Sequence, residues 1–203
     1  DIAVLLDLSK LLGVSTDTLL GGREKPEDTF EATVFCTGLN HFAERSASMP
    51  PRDVALWANG LLHLMTQAVV RYEGVPVKYV GDGFLGFFSG PNHAQRALQA
   101  ALSARTLVPS PDLVISLHAG DIYLGQIGHP EYARMDIIGD TVNTAFLVMA
   151  WIAENVQGKL GLTEAVAQKL EGKFELATPQ TATIRTLNKK IKVYAPKQIE
   201  RRY

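Results

Sequence analysis

The fold of this chain is decided by Val77-Lys78-Tyr79-Val80-Gly81-Asp82-Gly83-Phe84-Leu85-Gly86-Phe87-Phe88. Two runs of β-branched and aromatic residues joined by so short a polar turn predict a β-hairpin. The glycines permit positive φ, so Asp82 is expected at the tip with its carboxylate projecting freely. Lys78 lies inside the first strand, where its charge must face a ligand, an acid or water. A lysine and an acid on one hairpin also occur on an ordinary solvated sheet edge.

The segments on either side of this hairpin alternate between strand and helix patterns. Strands interleaved with covering helices predict an α+β sandwich. The predicted elements are a strand over 31–39, a helix from 49 to about 72, a helix over 91–107, a hairpin of 113–118 with 121–126 around Ala119-Gly120, a helix from about 139 to beyond 151, a short helix over 163–170 capped by Thr163, and paired strands 182–187 and 191–195 joined at 188–190.

Length and composition fit one globular domain with an appendage. The 203 residues are 46% apolar and 20% charged, which suffices for a proper core. The net charge of −1 argues against a broad nucleic-acid surface or an electrostatic membrane anchor. The single cysteine, Cys36, excludes an internal disulfide and fits a reducing compartment. No run of eighteen apolar residues and no signal peptide are recognisable, so we expect a cytoplasmic protein without a membrane partner.

Further segments follow the hairpin in a familiar order. They are His118-x-Gly120, Gly125-x-Ile127-Gly128 and Asp136-Ile137-Ile138-Gly139-Asp140-Thr141-Val142-Asn143-x-Ala145. Together with Lys78-x-x-Gly81-Asp82-Gly83, these segments resemble the class III nucleotidyl cyclase catalytic domain over roughly residues 29 to 196. The resemblance implies the ferredoxin-like α/β sandwich of that family.

The resemblance also implies a nucleotide site shared by two protomers of a head-to-tail homodimer. Lys78 and Asp136 hold the positions of the adenine-selecting pair of adenylyl cyclases. Lysine can donate to a ring nitrogen of adenine, and the carboxylate can accept from its exocyclic amine. Asn143 matches the residue that positions the ribose. Gly139 has no side chain and lets the start of the following helix come close to the nucleotide. The expected ligand is an adenine nucleotide such as ATP or cyclic AMP. The alternative role of Asp136 and Asn143 is to cap a helix, since both lie near a helix start.

Two positions depart from the family. Asp82 matches the second metal-binding aspartate, but Gly38 stands where the first acid belongs, so Mg²⁺ or Mn²⁺ is expected to bind weakly. Leu147 stands where the transition-state arginine belongs, four residues after Asn143. Loss of such a charge clamp in related phosphoryl chemistry costs roughly three to five decades in rate.

Other side chains could substitute for the missing groups. His41 or Thr37 could add a metal ligand, although magnesium prefers carboxylates. Arg134 or Lys189 could supply a cation for the phosphates.

The first residues predict a separate unit. Residues 1–22 are expected to be helical. The segment from Leu8 to Gly21 is similar to the end of a phage-repressor-like helix-turn-helix domain of the XRE/Cro type. A plain helical linker is the alternative. Residues 23–28 predict a linker and residues 29–203 the cyclase-like domain. In repressor-like domains the groove-reading helix lies earlier, so DNA is expected as a partner only through an upstream region absent from this chain.

Three functions are compatible with this pattern. The first is a degenerate cyclase domain, a pseudo-enzyme that dimerises, binds adenine nucleotide and regulates signal transduction or transcription. The second is an active adenylyl cyclase, with substitute residues or in a heterodimer. The third is a purely structural dimerisation domain. The apolar residues Phe84 and Phe87 are expected to need cover from a second protomer.

Overall fold

The computed structural model describes residues 28–108 and 110–197. Its strands and helices, numbered along the chain, are β1 Thr29–Leu39, α1 Phe42–Ala47, α2 Pro51–Arg71, β2 Val75–Val80, β3 Gly83–Ser89, α3 His93–Leu107, β4 Leu113–Ile127, β5 Arg134–Ile138, α4 Asp140–Asn155, β6 Leu160–Thr163, α5 Glu164–Ala167, β7 Gln180–Ile184 and β8 Lys189–Tyr194. None of the helices in these ranges is both long enough and apolar enough to cross a membrane. The helical appendage predicted for 1–22 and the linker up to residue 27 lie outside the described residues.

The described strands form one sheet. Its order is β2-β3-β1-β4-β6-β8-β7, and β5 pairs with the far end of β4. The unit β1-α2-β2-β3-α3-β4 is antiparallel in the spatial order β4-β1-β3-β2, which is the ferredoxin-like split arrangement. The predicted α+β sandwich with this core is therefore confirmed.

Strand β4 is continuous over 15 residues, so the hairpin predicted around Ala119-Gly120 is wrong. Both residues lie within the β1 ladder, opposite Thr33 and Ala32. A Cβ on Gly120 would lie only 2.7 Å from Thr141 Oγ1 on α4. The glycine therefore serves to admit α4 to the sheet surface rather than to turn the chain.

Each face of the sheet is covered by helices, because successive residues of a strand point to opposite faces. Helices α2 and α3 cover one face, where the Phe35 ring centroid lies 6.1 Å from that of Phe84 and 6.2 Å from that of Phe88. Helix α4 covers the other face, over a core that includes Val34 and Leu85. This second face carries most of the candidate site.

Two local predictions near the end of the chain need correction. The turn between β7 and β8 is a 3₁₀ turn over Arg185–Leu187 followed by Asn188 at a φ of 49°. Lys189 and Lys190 therefore lie in β8 and not in the turn. Thr163 is the N-cap residue of α5 as predicted, but its side chain makes no capping hydrogen bond, because its hydroxyl bonds to the ring of His118.

Candidate functional site

The central hairpin closes as predicted. Val80 pairs with Gly83 across a two-residue turn, in which Gly81 has a φ of 59°. The acid in that turn is half-buried, and its Oδ2 accepts a hydrogen bond of 2.7 Å from the backbone N–H of Leu39. The expectation that Asp82 projects freely is wrong, because its carboxylate accepts a hydrogen bond from a backbone N–H at the end of β1.

Gly38, the position expected for the first acid, lies beside Asp82 in the structure. A Cβ on Gly38 would be 3.8 Å from Asp82 Oδ2, but it would also be 3.3 Å from the Cε and 3.7 Å from the Sδ of Met149 on α4. The positions of the two family acids are therefore adjacent. A side chain at position 38 would therefore require the end of Met149 to shift by a few tenths of an ångström.

This set of donors does not suit magnesium or manganese. Both ions prefer several oxygen ligands, whereas the end of β1 offers one carboxylate that already accepts a backbone hydrogen bond, beside a soft thioether. Across residues 28–108 and 110–197, no group of three or more His, Cys, Asp or Glu side chains could hold a metal ion.

The two substitute ligands do not change this conclusion. Thr37 faces α2, where its Oγ1 donates to Met65 Sδ and accepts from the Phe84 N–H, both at 3.1 Å. His41 is exposed, and its Nδ1 lies 2.7 Å from Glu44 Oε2. Each side chain is engaged elsewhere.

Lys78 and Asp136 form an ion pair between β2 and β5, and the two side chains are 43% and 17% exposed. Asp136 lies within β5 opposite Gly125, and its Oδ1 accepts a 2.8 Å hydrogen bond from the Ile137 N–H. The capping alternative for Asp136 is therefore wrong. The pair is accessible to solvent on the side of the lysine.

Helix α4 begins directly after β5, with Gly139 as its N-cap. Gly139 has a φ of 152°, and a Cβ there would lie 3.2 Å from the carbonyl oxygen of Asp121, which also accepts a 2.7 Å hydrogen bond from Thr141 Oγ1. Glycine thus brings the helix start against β4. Asn143 is exposed in the first turn and makes no side-chain cap, so its capping alternative is also wrong.

Leu147 follows Asn143 by one turn of α4. It is half-buried and packs against the apolar cluster that joins α4 to β7 and β8. The position that the family gives to a cation therefore contributes packing in this chain.

The two candidate phosphate contacts lie at different places. Arg134 begins β5, two residues before Asp136, and is exposed. Lys189 begins β8, and its Nζ lies 2.8 Å from Asp140 Oδ2 at the first residue of α4. Arg134 thus lies on the same strand as Asp136, and Lys189 contacts the helix that carries Asn143.

The sequence did not reveal the role of Met149. Its position in α4 predicts only a residue that packs against the sheet. Its contact with Gly38 depends on where α4 crosses the end of β1, and no local pattern encodes that crossing. Strand β5 is likewise too short and too close to α4 to be separated from a helix start by its sequence.

Comparison with known proteins identifies the family. Residues 24–198 match the family model described as Adenylate and Guanylate cyclase catalytic domain. That range includes most of the 203 residues. The chain therefore belongs to the adenylate and guanylate cyclase catalytic domain family, and the predicted resemblance is confirmed.

Individual relatives are distant and longer. An adenylate cyclase of Anabaena cylindrica is 24% identical over 180 residues, which cover 81% of this chain and 34% of that protein. The chain spans about a quarter to a third of the length of the curated relatives it matches.

Solved structures share the fold. The adenylyl cyclase CyaB from P. aeruginosa matches with a TM-score of 0.75 and 18% identity, over 85% of this chain and 96% of that one. The guanylyl cyclase Cya2 matches with a TM-score of 0.75 and 16% identity, over 86% and 95%. Because an adenylyl and a guanylyl cyclase match equally well, the fold does not decide which base is recognised.

Proposed function

We propose that this chain is a regulatory cyclase-type domain that binds adenine nucleotides as a head-to-tail homodimer and turns them over slowly or not at all. The observation that carries the proposal is that Gly38, which supplies no carboxylate, lies beside Asp82, with Met149 packed against it. Leu147 adds a second loss, because it supplies no charge for the transition state. Such a domain would act in signal transduction or transcription control.

The Lys78–Asp136 pair supports adenine as the base. Adenine offers a ring nitrogen to the ammonium group and an amine to the carboxylate, so it can take up both partners of the pair. Guanine presents an oxygen to the acid and a ring N–H to the lysine. Each mispaired group would cost about 1 to 3 kcal/mol.

Exposed apolar side chains beside this pair support a second protomer. Phe84 and Phe87 are only 1% and 2% exposed within one chain, so the expectation that they need cover from a second protomer is wrong. The apolar surface lies instead on β2 and β5, where these residues are 44% to 55% exposed: Val75, Tyr79, Val80, Met135 and Ile138. Apolar surface gathered around a polar site is typical of an interface.

Three measurements test the proposal. Sedimentation should give a dimer at roughly tens of micromolar protein, and a strict monomer would remove the shared site. Calorimetry should give about tenfold or tighter binding of ATP than of GTP, with the preference lost in Lys78→Ala. Incubation with ATP and either magnesium or manganese should give cyclic AMP at background level.

An active adenylyl cyclase is the second candidate, favoured by the carboxylate of Asp82 next to position 38. In that case a different protomer would bring the missing acid. Cyclic AMP formation well above background, abolished by Asp82→Asn, would select this candidate and overturn the first.

A structural dimerisation domain is the third candidate, favoured by the direct contact of Lys78 with Asp136. Equal affinities for ATP and GTP, or no binding of either by a dimeric chain, would select it.

A further inference from the structure

The end of β1 carries an acid without a cation. Asp82 matches a position at which the cyclase family binds a metal ion, but the neighbouring position 38 is a glycine. The Oδ2 of Asp82 accepts the N–H of Leu39 at 2.7 Å. None of the ion pairs among the described residues includes Asp82. No positive side chain of those ranges therefore pairs with this half-buried carboxylate.

An acid at this position bears on the phosphates of a nucleotide. In phosphoryl-transfer sites, metal ions bridge the phosphate oxygens and neutralise their charge, so an acid in a metal-binding position lies close to the phosphates. The donors at the end of β1 do not suit magnesium or manganese. The carboxylate of Asp82 would then meet the phosphates directly, and like charges repel each other most strongly where water is partly excluded.

The charged side chains of the candidate site balance each other. The side chains proposed to contact the nucleotide, together with the acids that pair with them, comprise as many cations as carboxylates. They are Lys78, Arg134 and Lys189, and Asp82, Asp136 and Asp140. The exposed neighbour Lys190 raises the net charge of the set to one positive. Because both protomers of the proposed homodimer have the same sequence, each shared site contains one such set.

We propose that the adenine site selects ligands with at most one negative charge, adenosine or cyclic AMP, over ATP. The inference rests on the proposed function, because it needs Lys78 and Asp136 to hold the base. Adenosine is neutral and cyclic AMP has a single charge on its phosphodiester, so neither needs a metal ion or a surplus of cations. ATP brings several negative charges to a site with an uncompensated acid.

Calorimetry on the full chain in EDTA tests the proposal with adenosine, cyclic AMP and ATP. ATP should bind about tenfold or more weakly than cyclic AMP, because one close uncompensated charge suffices for such a difference. Tighter binding of cyclic AMP than of adenosine would show that the site recognises the phosphodiester, and equal affinities would show that base and ribose suffice. Binding of ATP as tight as that of cyclic AMP, or tighter, overturns the proposal.

Ionic strength gives an independent readout. Salt screens the repulsion between Asp82 and the phosphates, so ATP should bind more tightly as the salt concentration rises from roughly 0.01 M to 1 M. Adenosine should be insensitive to salt. A site that holds the phosphates through cations has the opposite dependence, so a fall in ATP affinity with added salt contradicts the proposal.

Matched variants localise the effect. Asp82→Asn removes the charge but keeps an acceptor for the Leu39 N–H, so it should raise the affinity for ATP severalfold relative to that for adenosine. Asp53→Asn removes an exposed charge from the first turn of α2, which packs on the other face of the sheet, and it should leave this ratio unchanged. A folded Asp82→Asn variant with the wild-type ratio counts against the inference.

Two further outcomes separate this inference from the proposed function. If ATP binds more tightly than GTP and manganese strengthens the binding of ATP, the adenine site stands but holds a metal ion, and the inference fails alone. If none of adenosine, cyclic AMP and ATP binds, the proposed function fails and this inference fails with it.

Discussion

The end of β1 and the start of α4 lie on the same face of the sheet but differ in chemistry. At the end of β1, Met149 covers Gly38 and the carboxylate of Asp82 accepts a backbone N–H. At the start of α4, Asn143 is exposed and Lys78 pairs with Asp136. The two regions share the β2–β3 hairpin, which carries Lys78 and Asp82, and α4, which carries Asn143 and Met149. They differ in which side chains these elements present.

The ion pair at the second region is hard to explain by stability alone. A partly exposed pair contributes only about 0 to 1 kcal/mol, and Lys78 is 43% exposed. The end of β1, in contrast, gains packing from Met149, a half-buried side chain that contacts two apolar clusters. The ion pair therefore adds little to the stability of the fold, which is compatible with the role in base binding proposed for it.

The largest expected effect comes from reopening the end of β1. The triple variant Gly38→Asp, Met149→Ala, Leu147→Arg should raise the rate of cyclic AMP formation with manganese by roughly a thousandfold, because a charge clamp alone is worth about 10³ to 10⁵ in phosphoryl transfer. Gly38→Asp with Leu147→Arg should gain less, because Met149 still contacts position 38.

Two controls accompany this experiment. Adding Asp82→Asn to the triple variant should return the rate to background, since both acids are then needed. A thermal melt must show that each variant is folded. A folded triple variant without any gain would mean that Gly38 is not the position of the missing acid.

The next largest effect is the dependence of folding stability on pH through His118, which lies on β4 beneath α4. The pKa of His118 is lowered from 6.5 to about 4, first because the ring is buried; Asp140 raises it and Lys189 lowers it further. The unfolded chain therefore takes up a proton first as pH falls. The free energy of unfolding should decrease from about pH 6.5 to about pH 4 and then level off, by about 3 kcal/mol at 1.36 kcal/mol per pKa unit.

Urea unfolding of the wild type and of His118→Gln between pH 7 and 4 measures this effect. The difference between the two chains removes the titration of all groups that the two chains share. Parallel pH profiles would show that His118 titrates normally in the folded chain.

A smaller effect should follow from Asp136→Asn. The amide adds a donor where the carboxylate only accepts, so it can meet the guanine oxygen as well as the adenine amine. The preference for ATP over GTP should shrink by roughly tenfold, since one mispaired group accounts for about 1 to 3 kcal/mol. Titration of both nucleotides checks this, and an unchanged preference would exclude Asp136 from base recognition.

The sequence predicted the elements whose patterns are local. The hairpin at Gly81-Asp82 and the start of α2 at a proline depend on turn and capping chemistry that a few residues determine. Gly120 shows the limit of that approach. A glycine between apolar runs predicts a turn, but here it makes room for Thr141, which lies 21 positions later in the sequence. Long-range contact, rather than turn chemistry, explains this glycine.

The candidate site, like the fold, was predictable from the sequence only in part. The meeting of Lys78 with Asp136 was implied by the resemblance to the family and not by a local pattern, since β2 pairs with β3 and β5 pairs with β4. The contact of Met149 with Gly38 could not be predicted, because it depends on how α4 lies across the sheet.

The smallest effect concerns Asp82 itself. If its carboxylate serves mainly to accept the Leu39 N–H, Asp82→Ala should lower the free energy of unfolding by about 1 kcal/mol, because a hydrogen bond to a charged acceptor is lost at a half-buried position. Asp82→Asn keeps an acceptor oxygen and should lose less. Urea unfolding with EDTA or with manganese decides between the two roles of this acid. A structural role leaves the wild-type stability unaffected by manganese, whereas stabilisation by manganese that disappears in Asp82→Asn would show that the end of β1 still binds a metal ion and that Met149 does not close it.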